Sequence, residues 1–99
     1  MTIQEKNIKI AQEYGYKDIW EGVPGRFNGC LNGEWSQIPD YFSDLNACHE
    51  AEKTICGENF DTPLWVSFLC NLDRVVNKRR AHATAAQRAE AFGKTLNLW

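Results

Sequence analysis

The sequence has no apolar run near the roughly 18 residues that a membrane-spanning helix requires, and its opening, MTIQEKNIKI, is polar and amphipathic. Neither a membrane span nor a secretory leader is therefore expected, and a cytoplasmic location follows as the default. There is no excess of basic charge: 11 Lys and Arg stand against 13 Asp and Glu, a net charge of −2. Proteins that coat duplex nucleic acid carry a strong basic surplus, so that class is excluded as a leading reading. Cys30, Cys48, Cys56 and Cys70 are scattered without a C-x-x-C pair; an even count is compatible with disulfides, but without a secretory leader small, mostly buried thiols are favoured over disulfides and over a structural zinc.

Catalytic patterns are missing too. No Walker-type or Rossmann-type glycine loop is present. The segment HEAEK (49–53) approaches the zinc-protease pattern H-E-x-x-H but places Lys53 where the second histidine must coordinate. The serines and threonines form no recognisable triad with His49 and His82. An enzyme is not expected, nor is a cofactor or a metal.

What is present suffices for one domain over residues 1–99: 43% of the residues are hydrophobic and 12% aromatic, with four tryptophans. Thr2 and Glu5 have the spacing of a capping box, and Ile3, Ile10 and Tyr14, with Ala11 at the edge, share one face of a helix stopped by Gly15. From Tyr16 to Asp40 glycines punctuate short aromatic pieces, which reads as strands or an irregular hairpin, with either Asn28-Gly29 or Asn32-Gly33 as a tight turn. Ser43 or Asp44 caps a second helix ended by Gly57, whose stripe of Leu45, Cys48, Ile55 and Cys56 has Glu52 near its middle and His49 at its edge. Thr62-Pro63 opens a third helix carrying Trp65, Phe68, Leu69, Leu72, Val75 and Val76. A basic linker from Asn77 to Arg80 and a short extended piece at 81–83 follow. Thr84 and Gln87 form a second capping box for a helix to about Leu96, with Ala85, Ala89, Phe92, Leu96 and Trp99 inward. The fold class is α+β: about four helices with a small antiparallel sheet of two or three strands in one compact domain.

Three places draw functional attention. Glu52 on an apolar face needs a partner, and Arg88, beside the inner stripe of the last helix, is the obvious one. The foremost reading is an internal ion pair that docks the two helices; the second is a pocket shared with His49, in which Arg88 grips an anion. The basic stretch Arg74, Lys78, Arg79 and Arg80, leading to a helix N-terminus at Thr84, is foremost a solvated linker and secondly a phosphate site. The aromatics Tyr16, Trp20, Phe27, Trp35, Tyr41 and Phe42 mostly complete the core, with Trp20 or Trp35 the ones expected at the surface to stack on a base or anchor a partner.

Two stretches, IPDYFSDLNACHEAEKTI (38–55) and HATAAQRAEAFGKTLNLW (82–99), resemble small proteins of tailed bacteriophages and prophages, the phage α-β-α sandwich group. Members carry a D-L-N-A-M-H-E-like segment in mid-chain and an A-T-A-x-x-R-A-E-A-F helix closing on tryptophan. The match covers about 36 of 99 residues; here Cys48 stands where methionine is usual and Gly93 where leucine is usual, which weakens the last helix slightly. The resemblance implies a viral accessory protein in the host cytoplasm, of a kind that disarms bacterial defences by binding a defence protein or sequestering a nucleotide signal. Combined with the residues above, the leading expectation is a non-enzymatic binder of a small anionic ligand such as a signalling nucleotide, held by Trp20, Trp35, His49, Glu52, Arg80 and Arg88. The alternatives are a protein-binding inhibitor of a bacterial host protein and a structural helper with no ligand. A free sheet edge would also allow a homo-oligomer.

Overall fold

A computed structural model describes residues 1–56, 62–76 and 83–99. Helix α1 (Ile3–Tyr14) is followed by strands β1 (Lys17–Val23), β2 (Arg26–Leu31) and β3 (Glu34–Gln37), then by helices α2 (Leu45–Cys56), α3 (Pro63–Val76) and α4 (Ala85–Thr95). The strands form one antiparallel sheet in the order β1-β2-β3. Among the described residues this is an α+β architecture of four helices and a three-stranded sheet.

Local chemistry explains most boundaries. The capping boxes at Thr2/Glu5 and Thr84/Gln87 both form, each hydroxyl accepting a backbone N–H that the first helical turn leaves without a partner. Asp44, not Ser43, caps α2: its Oδ1 accepts from the Asn46 amide at 3.0 Å. Thr62 accepts from the Trp65 amide at 3.1 Å, and Pro63 occupies the first helical position as its spacing predicts. Gly15 ends α1 at φ 120°, a conformation that favours glycine. The expected stop at Gly57 lies outside the described residues, as does residues 81–82 of the expected extended piece.

The hairpin turns differ from the sequence reading at one point. Asn32-Gly33 is a tight turn, both residues having positive φ, which matches the twist of the flanking strands. Asn28-Gly29 lies inside β2 instead, because Pro24-Gly25 makes the other turn, with Gly25 at φ 83°. Gly29 is buried there, and a Cβ would stand 3.1 Å from the Tyr16 ring, so its lack of a side chain lets Tyr16 pack against the strand.

The core lies between the helices and one sheet face, with Phe68, Phe92, Ile10 and Leu72 its largest fully buried side chains. The α3–α4 pair is the most extensive helix contact. Two inner positions read from helical spacing are outside: Ile3 is 56% exposed, and Leu45 is also exposed. Asn7 takes the place of Ile3 on the buried side. Its Nδ2 donates to Asp40 at 2.9 Å and its Oδ1 accepts from the Tyr41 amide at 3.0 Å, tying α1 to the turn before α2. Both ends of this buried amide are satisfied, which makes its burial affordable.

The last residues fold back. Trp99 lies directly on Gly93, where a Cβ would come within 1.9 Å of the indole. The Trp99 Nε1 donates to Glu90 at 3.2 Å, Lys6 pairs with Glu90, and the Lys6 ammonium sits 5.0 Å from the Trp99 ring centre. Gly93 is thus the seat of the closing tryptophan, a role that its low helix propensity conceals.

Candidate functional site

Helices α2 and α4 bring together Glu52 and Arg88, 36 residues apart in sequence. Arg88 Nε donates to Glu52 Oε2 at 2.8 Å, and Nη2 donates to Oε1, a bidentate fork. Glu52 is only 3% exposed. The guanidinium also lies 5.7 Å from the Phe68 ring centre, so α3 backs the pair. Hydrogen bonding to Glu52 raises the Arg88 pKa above its ordinary value, burial notwithstanding. His49, one helical turn before Glu52, is half-exposed, with Nδ1 3.8 Å from Oε1 and so beyond hydrogen-bond reach. The crevice around the pair has no room for a water-sized molecule. This geometry docks one helix on another, and the Nε/Nη2 edge of the guanidinium, a fork that could grip an anion, is turned to Glu52.

Cys48 borders the same crevice. Its thiol donates to the Tyr41 carbonyl at 2.8 Å, and burial pushes its pKa up to about 12, so it stays protonated and unreactive.

The second site is on the sheet. Residues directly opposite in an antiparallel ladder share a face, and positions two apart along a strand share one too. Trp20 opposes Asn28, Asn28 opposes Gln37, and Trp35 is two before Gln37; all therefore project from the face turned away from Gly29 and Tyr16. Trp20 is 53% and Trp35 59% exposed. With Asn28 and Ser36 they line an open groove of about 400 Å³. Gly22 shapes it: a Cβ there would stand 2.9 Å from the Trp20 ring and 3.0 Å from the Asn28 amide nitrogen, so the indole lies across the glycine. No charged side chain lines this groove among the described residues.

Five of the six residues expected in one site are described, and they separate. Trp20 and Trp35 share the sheet groove; Glu52 and Arg88 share the closed crevice, with His49 beside it; the two places have no lining residue in common. Arg80, with Lys78 and Arg79, lies outside the described residues. Sequence reasoning missed Asn28 and Gly22. The alternation Trp20, Gly22 along β1 carried the signal for Gly22, but Asn28 was obscured by its turn-like Asn-Gly neighbour.

Comparison with protein-family models, with curated proteins and with solved structures gave no match. Among the described residues, no helix is long and apolar enough to cross a membrane.

Proposed function

We propose that this chain is a non-enzymatic binding protein that holds a partner protein on the outer face of its sheet. The observation that carries this reading is the pair of exposed tryptophans framing an uncharged groove. Tryptophan is enriched where interfaces concentrate binding energy, because a large, rigid ring buries much area at little conformational cost. The resemblance to phage accessory proteins supports a bacterial host protein as the partner, met in the host cytoplasm, with inhibition of a defence protein as the outcome. Affinity capture from host lysate, followed by binding of the captured protein in purified form, tests it. Trp35→Ala and Trp20→Ala are each expected to lose that binding while the fold persists. Unchanged binding by both variants would overturn the reading.

A small anionic ligand such as a signalling nucleotide is the second reading, favoured by the groove volume, which falls within the range of small-molecule sites. The Asn28 amide between two indoles is suited to a base edge. Arg88 is committed to Glu52, so a phosphate would find no cation in the groove among the described residues. Thermal shift against linear and cyclic nucleotides separates the two readings: stabilisation that disappears in Trp20→Ala supports the ligand, and indifference to the whole panel leaves the protein partner.

A further inference from the structure

A second cleft, of about 270 Å³, opens between the end of α1, the start of α2 and the Leu31 end of the sheet. Among the described residues, three tyrosines, Tyr14, Tyr16 and Tyr41, line it with two carboxylates, Asp44 and Glu50, and no basic residue is in the lining. The Tyr14 and Tyr16 ring centres are 6.1 Å apart, inclined at 32°. Tyr41 is 2% exposed, yet its hydroxyl has no hydrogen-bond partner among the described residues. The hydroxyl opens on the cleft, where whatever fills the cleft can meet it. The Tyr14 hydroxyl is 3.4 Å from Glu50 Oε2, leaving that contact long and easily replaced.

We propose that this cleft recognises a protonated amine on an alkyl stem. Tyrosine faces attract a cation through their quadrupole, Glu50 and Asp44 supply opposite charge, and the Tyr41 hydroxyl accepts an N–H. Leu31 gives the methylene stem an apolar wall. The site already has a resident competitor. Lys53 Nζ lies 2.8 Å from Glu50 Oε1, and both side chains are more than half exposed. An exposed pair one turn apart on a helix is weak, so a ligand amine displaces it cheaply. The field in the cleft agrees: burial first, and then Glu50, raise the Tyr14 pKa. The same surroundings disfavour any anion, so this site is independent of the sheet groove and of the reading proposed for it.

Amide chemical shifts of the ¹⁵N-labelled full chain, titrated with n-butylammonium, n-butanol and butyrate, test the proposal. Saturable shifts at Tyr14, Asn46 and Glu50 are expected with butylammonium and not with its neutral or anionic analogues. Glu50→Gln, a change at an exposed position that spares the fold, is expected to weaken binding about tenfold, the scale of one lost charge-assisted hydrogen bond. Lys53→Ala is expected to strengthen it. A parallel titration with the peptide acetyl-Gly-Lys-Gly-amide identifies the source: tighter binding of the peptide assigns the amine to a partner's lysine, and equal or weaker binding assigns it to a free alkylamine. The proposal is overturned if neither amine saturates, if butanol shifts the same amides equally, or if Glu50→Gln binds as the parent does.

Discussion

Replacing Gly93 by alanine would put a methyl group inside the Trp99 ring, since a Cβ there lies within 1.9 Å of the indole. Trp99 must leave, and its bond to Glu90 and its stacking with Lys6 go with it. The expected cost is about 1–3 kcal/mol, as for other overpacked sites, read by urea titration together with a red shift of tryptophan emission. Propensity alone gives the opposite sign, because alanine is the better helix former. Arg88→Ala is more damaging. It leaves the Glu52 carboxylate buried without its partner, for which about 3–5 kcal/mol is the usual loss. The double change Glu52→Leu with Arg88→Met removes both charges, and is expected to recover most of that stability in the same titration. Thiol chemistry follows burial in a similar way: iodoacetamide is expected to modify exposed Cys70 in the folded protein and Cys48 only after denaturation.

Between elements, the link from α1 to α2 runs through Asp40. Burial alone would raise its pKa, but hydrogen bonds from Asn7, from Ser43 and from the Phe42 amide outweigh it and hold the carboxyl below its ordinary value. A carboxylate whose pKa is lower folded than unfolded adds stability above its unfolded pKa, and that stability is lost as pH falls through the folded one. The contribution is therefore complete above about pH 4 and fades in stronger acid. Comparing Asp40→Asn with the parent by acid titration of circular dichroism checks this. The difference in stability should be present at neutral pH and shrink as the solution becomes more acidic than pH 4.

For the whole molecule, stability and binding are expected to reside in different layers. The helices and the inner sheet face carry the buried side chains, whereas Trp20 and Trp35 stand outside them. Trp20→Ala and Trp35→Ala should each change the unfolding free energy by about 0.5 kcal/mol or less, as exposed substitutions do, while removing the partner. Gly22→Ala should act like Trp20→Ala on binding, because its methyl group displaces the ring from the groove. If either tryptophan variant unfolds the chain, the rings belong to the core and the sheet face is not a separate binding layer.

Among the described residues, the four helices, the caps at Thr2, Thr62 and Thr84 and the α+β class were legible because capping boxes, a Thr-Pro start and helical spacing act within a few positions of one another, whereas the α2 cap stayed open between Ser43 and Asp44. The need of Glu52 for a cation was legible for the same reason: a carboxylate on an apolar stripe shows in a single turn. That Arg88 answers it with Nε and Nη2 together, in a crevice without space for a ligand, depends on how α2 and α4 dock. Strand register was likewise decided in three dimensions, since Asn28-Gly29 and Asn32-Gly33 have equal claims to a turn until Pro24-Gly25 takes the other one. So was the seat of Trp99 on Gly93, the burial of Asn7 in place of Ile3, and the separation of the tryptophan groove from the arginine. Each of these rests on contacts between segments distant in sequence, where packing volume and hydrogen-bond satisfaction outweigh any local preference.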